Sequence, residues 1–359
     1  MIKKKIVIAT GGTGGHVFPA YSLANYLKNK NFSIKVTSDK RGFTYLKDYN
    51  NLNLLKISSS PLIKKNIFKL FNSIVIIFFS IIKSLLTLLF DRPSLVVGMG
   101  GYSSFPICFA AFILRVKFII YENNLIIGKS NKYLLPFAKK IFVSYNELEG
   151  ISAKYKDKVI EVGNIVREEI INSNISNHSS TSLDSLNILV LGGSQAAKIF
   201  ADEFPLIFKK LRDSKIKIKI YQQCHNSQND RLSQFYKKAQ MDFEIFNFTS
   251  NIIDYYSKSN LVITRSGASV LGELINFKIP FISIPLPTSA DNHQYKNAVF
   301  YTKKGYGNFL EEKDIKNKLY DLIVSTFNDK SILNSILLKQ QQHSDKDILK
   351  NLYSQIENL

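Results

Sequence analysis

Cysteine is scarce: only Cys108 and Cys224 occur in 359 residues, far apart and without Cys-x-x-Cys spacing. That count excludes a disulfide framework and a cysteine-built zinc site, and suits a reducing compartment. Acidic residues are also short, with 28 Asp and Glu against 48 Lys and Arg and a formal charge of +20. Residues 1–170 hold 25 basic and 10 acidic side chains, whereas residues 171–359 hold 23 and 18. A surplus confined to one half points to an anionic partner there, nucleic acid or a membrane leaflet, unless it is general compositional drift. A long uncharged apolar run is missing as well. The longest, Ile74 to Phe90, is broken by Ser80, Lys83, Ser84 and Thr87, and a spanning helix needs about 20 such residues. It is expected to be a core helix or a helix lying on a bilayer. After the basic start Met1-Ile-Lys-Lys-Lys only Ile6 to Ala9 is apolar before glycines follow, so no signal peptide is expected.

What is present is an α/β rhythm, with 45% hydrophobic residues and length enough for two domains. Lys5–Ala9, Ser33–Thr37, Leu95–Val97, Phe118–Tyr121 and Ile141–Ser144 read as strands, and Ala20–Asn29 as a helix between the first two. This alternation predicts a parallel sheet with helices on both faces. It stops at the polar stretch from Asn172 to Ser182 and restarts at Asn187–Leu191, followed by Ile216–Tyr221, Leu261–Thr264 and Phe281–Ile284. Two Rossmann-like α/β domains are therefore expected, over residues 1–165 and 186–344 with a linker at 166–185. A last helix at about 345–359 can pack back on the first domain. No shorter repeat is visible.

Chemistry concentrates in the strand-to-helix turns. Gly11-Gly-Thr13-Gly14-Gly15-His16 follows the first strand, where glycines permit a tight turn and a ligand can approach the N–H groups at the helix start. Counted from Gly12 and Gly14, the third glycine of a dinucleotide fingerprint falls on Val17, so the fingerprint fails. Asp39, after the second strand, keeps a dehydrogenase open as an alternative. His16 stands where the helix dipole favours a neutral, proton-accepting ring, although a histidine there can also be a plain cap. Gly98-Met-Gly100-Gly101-Tyr102 and Tyr121-Glu122-Asn123-Asn124 end two further strands of the same domain. In an open parallel sheet those ends line the ligand crevice. The second half repeats the device with Gly192-Gly-Ser194-Gln195 and Arg265-Ser-Gly-Ala268-Ser269-Val270-Leu271-Gly272-Glu273. Helix starts there suit a diphosphate, Arg265 adds charge, and Glu273 can accept both hydroxyls of a ribose. Asp291-Asn-His293-Gln294 supplies neutral groups of the kind that grip a sugar. Asp345-Lys-Asp347 reads as a solvated helix start and not as a metal site.

The glycine turns, Arg265-Ser-Gly-Ala and Asp291-Asn-His-Gln-Tyr, in this order over about residues 6–300, resemble the MurG family of N-acetylglucosaminyltransferases. The resemblance implies the GT-B fold, two Rossmann-like domains facing across a cleft, and inverting transfer of N-acetylglucosamine from UDP-GlcNAc to lipid I, giving lipid II. Donor contacts then fall at Thr13, Gly14, Gly15, Asn124, Arg167, Ser194, Thr249 (through its backbone), Arg265, Ala268 to Glu273, His293 and Gln294. Gly100, Gly101, Tyr102 and Asn131 fall on the acceptor side. His16 is the expected base with Glu122 in reserve, and neither metal nor cofactor is expected. Partners would be UDP-GlcNAc, lipid I and an anionic membrane surface, with no nucleic acid, at the cytoplasmic face of the cell membrane. Ile74–Phe90 with Lys64, Lys65, Lys69 and Arg92 would touch that membrane. Departures from the family pattern are Tyr121 for its usual histidine, Ile165 for the proline of Gly-Asn-Pro-Val-Arg, Ala196 in the second domain's first turn, and Ala201. A related lipid transferase, such as a galactosyl diacylglycerol synthase, and a basic nucleic-acid-binding protein are the alternatives. The latter has only charge in its favour.

Overall fold

The computed structural model describes residues 3–47, 49, 51–61, 66–173, 185–193, 197–249 and 251–359. Its chain divides into one unit of Met1–Arg167 with Asp345–Leu359 and another of Glu168–Ser344. The boundary therefore falls at Arg167, two residues beyond the expected 165. Most of the expected linker, residues 174–184, lies outside the described residues.

The first unit begins with β1 (Lys5–Thr10), α1 (Gly14–Asn29), β2 (Ser33–Ser38), α2 (Lys40–Leu46), β3 (Asn53–Lys56) and α3 (Ile67–Asp91). It continues through β4 (Leu95–Gly98), α4 (Phe105–Ile113), β5 (Phe118–Glu122), α5 (Lys129–Leu134), β6 (Ile141–Val143) and β7 (Val159–Glu161). All seven strands are parallel, in the order β3-β2-β1-β4-β5-β6-β7. Period-2 alternation along β1 divides the core between two faces. Ile6 and Ile8 pack with Val17, Ala20, Leu23 and Leu27 of α1, while Val7 and Ala9 pack with Ile107, Cys108 and Ala111 of α4.

The second unit runs α6 (Glu168–Ile171), β8 (Leu186–Leu191), α7 (Lys198–Asp213), β9 (Ile218–Gln223), α8 (Asn229–Lys238) and β10 (Asp242–Phe246). There follow α9 (Ile252–Lys258), β11 (Leu261–Thr264), α10 (Ala268–Phe277), β12 (Phe281–Ser283), α11 (His293–Lys303), β13 (Asn308–Phe309), α12 (Ile315–Asn328) and α13 (Lys330–Gln341). Its six parallel strands are ordered β10-β9-β8-β11-β12-β13. The chain then returns to the first unit, where Ile348, Leu352 and Ile356 of α14 (Ile348–Glu357) join the α1-side core.

Four strands were not anticipated: β3, β7, β10 and β13. Each lies at a sheet edge and is only half-buried, so none carries the apolar run that marks a central strand. Helix α1 starts at Gly14 and not at Ala20, with Pro19 inside it; the Gly15 carbonyl, which proline cannot serve for want of an N–H, accepts instead from the Asn123 amide. Helix α3 is longer than Ile74–Phe90, starting at Ile67 after Asn66, whose side chain accepts from the Lys69 N–H.

Candidate functional site

In each sheet the strand order reverses beside the first strand, between β1 and β4 and between β8 and β11. At such a switch point the neighbouring strand-to-helix turns diverge and leave room for a ligand. Both reversals carry the glycine turns.

In the first unit, Gly11 and Gly12 have φ of +151° and +79°, conformations that side chains other than glycine rarely adopt. A Cβ on Gly11 would stand 2.7 Å from Asp39 Oδ1. Asp39 Oδ1 accepts from the N–H groups of Gly12 (3.0 Å) and Gly42 (2.8 Å), and its Oδ2 accepts from the Ser59 hydroxyl at 3.4 Å. The acid kept open for a dinucleotide ribose is thus occupied in holding the turn, which corrects the dehydrogenase alternative.

His16 is the third residue of α1, after Thr13 at the N-cap. Its ring lies on the turn after β4. A Cβ on Gly100 would be 3.2 Å from His16 Cε1, and one on Gly101 would be 3.4 Å from Cδ2. Both glycines have positive φ, +85° and +72°. Gly100 also borders the Asn131 amide nitrogen, 3.5 Å from the position of such a Cβ. Tyr102 follows with its side chain 44% exposed. The structure therefore brings His16, Gly100, Gly101 and Asn131 together at the carboxyl ends of β1 and β4, with Thr13, Gly14 and Gly15 in the same turn.

Glu122, the reserve base, is held by the loop that follows it. It is buried at the end of β5, and four N–H groups converge on its carboxylate. Oε1 accepts from the Asn124 backbone (3.1 Å) and side chain (2.9 Å), and Oε2 from Gly128 N (2.9 Å) and Asn131 Nδ2 (3.0 Å). These four bonds tie the carboxylate to residues 124, 128 and 131 and order the loop from 123 to 131. Asn123, which sequence reasoning quoted without assigning a role, ties the same loop to α1 by donating to Gly15 O at 3.1 Å. Arg167 reaches this region too, its guanidinium 5.0 Å from the centre of the Phe18 ring.

In the second unit, Gly193 has φ +76° at the end of β8, and Ser194 lies outside the described residues. Across the switch point the Arg265 N–H donates to Leu191 O at 3.2 Å. The Arg265 side chain is 9% exposed, pairs with Glu312 at 2.5 Å, reaches Ile284 O and Pro285 O, and lies 4.6 Å over Phe200. Burial depresses its pKa, and the Glu312 contact opposes that shift. Its charge is met inside the unit by Glu312 and two carbonyls. The backbone N–H groups of the α10 start, entered through Gly267, remain as the electropositive feature there.

Ala268, Ser269, Val270, Leu271 and Gly272 form the first half of α10, and Glu273 follows, buried, accepting from Tyr256 OH at 3.0 Å. Nothing near Glu273 in the sequence marks Tyr256 as its partner. His293 and Gln294 open α11. His293 Nδ1 lies 2.7 Å from Ala290 O, and Gln294 Oε1 accepts from Leu286 N at 2.9 Å. Before them Asp291 and Asn292 are both left-handed, at φ +50° and +57°. Two consecutive strained residues persist only where the surroundings impose them, and such strain gathers at binding loops. Thr249 is half-buried, its hydroxyl accepting from Asn251 N at 3.0 Å. A hollow of about 440 Å³ lined by Ser185, Asn187, Arg212 and Gln240 lies at the opposite, amino ends of β8 to β10 and contains none of these residues.

Two all-parallel sheets, each with glycine turns at its switch point, give the chain the GT-B architecture, and its two domains match those of a glycosyltransferase family. The glycosyltransferase family 28 N-terminal domain matches residues 6–143, and the family 28 C-terminal domain matches residues 187–352. A UDP-N-acetylglucosamine–N-acetylmuramyl-(pentapeptide) pyrophosphoryl-undecaprenol N-acetylglucosamine transferase of Pelagibacter ubique is 35% identical, over 96% of this chain and 94% of its own. One from Rickettsia felis is also 35% identical, over 94% and 96%. Among solved structures, Acinetobacter baumannii MurG superposes with a TM-score of 0.75 at 23% identity, covering 99% of this chain and all of that one. An S. aureus MnaA–UDP co-structure gives 0.69 at 15%, covering 99% and 96%. The chain belongs to the MurG family.

Proposed function

We propose that the chain transfers N-acetylglucosamine from UDP-GlcNAc to the C4 hydroxyl of the muramoyl residue of lipid I, with inversion, giving lipid II and UDP. The observation that carries the site assignment is the His16 ring, held on the Gly100–Gly101 turn at the start of α1. His16 takes the acceptor hydroxyl's proton as that oxygen bonds to C1 of the sugar and the bond from C1 to the diphosphate oxygen breaks. The departing electron pair leaves with UDP. The α10 N-terminus meets the diphosphate charge, Glu273 holds the ribose, and Gln294 and His293 face the sugar. Arg167, Asn124, the Gly14–Gly15 turn, Thr249 and Ser194 complete the donor contacts, and Asn131 and Tyr102 stand on the acceptor side.

The membrane reading rests on α3. Ser73, Ser80, Ser84 and Leu88 face inward, while Phe68, Phe71, Phe78, Phe79, Leu86 and Phe90 are all more than half exposed. Serines inside and phenylalanines outside invert the pattern of a water-facing helix. The inward face packs on the unit from Ser73 to Leu88, which leaves one side for lipid and favours a helix lying on the bilayer. Lys69, Lys83 and Arg92 belong to this surface, whereas Lys64 and Lys65 lie outside the described residues. The enzyme then works peripherally at the cytoplasmic face of the membrane that holds its acceptor.

The test of the base is His16→Ala, assayed by UDP release from UDP-GlcNAc with a lipid I analogue. A general base contributes about 10²–10⁴-fold, so kcat should fall by that factor while UDP affinity and the thermal midpoint hold. The acid limb of the pH profile should disappear in the variant. Near wild-type turnover would leave His16 as a packing residue on the Gly100–Gly101 turn.

A further inference from the structure

The buried Tyr121 hydroxyl, in the strand that ends at Glu122, makes every hydrogen bond a phenol can make. It donates to Gly163 O at 3.0 Å, accepts from the Ile165 N–H at 3.1 Å, and lies 3.1 Å from Ser144 Oγ. Burial raises its pKa, so the hydroxyl stays protonated and able to donate. Two of the three partners sit 42 and 44 residues on, in the segment that leads to the unit boundary at Arg167.

That segment is gripped from its other side as well. Gly163 has φ +96°, and a Cβ there would stand 2.9 Å from Asp345 Oδ1 and 2.8 Å from Ile348 Cγ1. Asp345 is where the chain re-enters the first unit. The outgoing and the returning connections therefore meet at Gly163, and the Tyr121 hydroxyl holds the backbone of the outgoing one, beside the Tyr145 hydroxyl, which accepts from the Asn164 side chain at 3.2 Å. Two residues beyond Ile165, Arg167 lays its guanidinium on Phe18, and a Cβ on Gly14 would lie 2.9 Å from that ring. Both ends of the Tyr121–Ile165 bond are positions where the sequence departs from the pattern it resembles. The N–H that replaces a proline at 165 is the one the tyrosine hydroxyl accepts.

We infer that Tyr121 is a positioning residue for donor binding: its hydroxyl sets the course of residues 163–167 and thereby places Arg167 beside the first turn of α1. This rests on the reading of Arg167 as a donor contact, and the experiment separates the two. Tyr121→Phe removes only the hydroxyl, and its effect is measured alone and in the Arg167→Ala background, using full-length protein, UDP-GlcNAc and a lipid I analogue. Tyr121→Phe should raise the KM for UDP-GlcNAc about five-fold with kcat held within about two-fold. The same change should add nothing in the Arg167→Ala background. UDP affinity by calorimetry should shift in parallel. An equal rise in both backgrounds would overturn the inference and leave the donor reading of Arg167 standing. So would a lowered thermal midpoint with unchanged KM. A normal KM in Arg167→Ala itself would end the donor reading and take the inference with it.

Discussion

Substituting Glu122 by glutamine separates a structural acid from a catalytic one. The carboxylate accepts four hydrogen bonds, two on each oxygen, at 2.9–3.1 Å, and is buried to 3% exposure. Glutamine keeps the shape and supplies one acceptor oxygen. If that oxygen serves Gly128 and Asn131, the new NH₂ points at both donors of Asn124, and the reverse placement sets it against the other pair. Two charge-assisted bonds are lost either way and two donor–donor contacts take their place. At about 1.5–3 kcal/mol for each bond to a charged group, less what the loop recovers by shifting, the cost is roughly 3–5 kcal/mol. For a unit of this size that is a fall of roughly 10 °C in the melting transition. The assay is thermal and urea unfolding of Glu122→Gln beside its UDP release at a temperature where it remains folded. A catalytic base would behave in the opposite way, keeping its midpoint and losing about 10²–10⁴-fold in kcat. A variant that melts within about 2 °C of wild type yet turns over a hundredfold more slowly would refute the structural assignment.

Two further outcomes follow from the sites. Glu273→Ala should weaken UDP and UDP-GlcNAc alike by about 1.5–3 kcal/mol, and Tyr256→Phe controls for the hydroxyl it orphans; undiminished UDP binding in a titration would remove Glu273 from the ribose. Replacing Phe78, Phe79 and Leu86, which are 58%, 63% and 51% exposed, by polar residues should leave folding intact and release the protein from anionic vesicles, more completely in high salt. A folded triple variant that still sediments with vesicles at high salt would contradict the membrane role of α3.

The central strands and glycine turns were legible because physics leaves little choice there. Strands β1, β4 and β5, sandwiched by helices, are nearly continuous apolar runs, and turns with φ near +80° select glycine. The edge strands were not legible, since a half-covered strand such as β10 tolerates Asp242 and Glu244. Charged residues near the turns were legible as important, but their partners within the protein were not. Asp39, Glu122 and Arg265 each stand beside a glycine or asparagine cluster, where a local reading assigns them to a ligand. Their partners are partly local, Asp39 capping α2 through Gly42 and Glu122 accepting from Asn124, and partly set by tertiary structure, as with Gly12 and Ser59 for Asp39, Asn131 for Glu122, and Glu312 for Arg265, 47 residues away. No spacing rule connects such pairs.

Three charged residues at these turns share one arrangement. At each turn an ionised side chain is spent on backbone or amide groups of the protein: Asp39 on Gly12 and Gly42, Glu122 on Asn124, Gly128 and Asn131, Arg265 on Ile284, Pro285 and Glu312. Beside the two charged groups proposed for the donor, Glu273 and Arg167, the groups that remain to meet a ligand are neutral or dipolar: an imidazole, amide side chains and helix N-termini. A donor of this class brings its own charge in the diphosphate. Fixed dipoles can accept that charge without the desolvation cost of a free cation at an empty site, and they need no reorganisation as negative charge grows on the leaving oxygen. Asp39, Glu122 and Arg265 thus hold the turns at the carboxyl edges of the two sheets, and the diphosphate is left to fixed dipoles such as the α10 N-terminus. The His16→Ala and Glu122→Gln variants decide between the two candidate bases, since only the loss of a base lowers kcat by about 10²–10⁴-fold at an unchanged thermal midpoint.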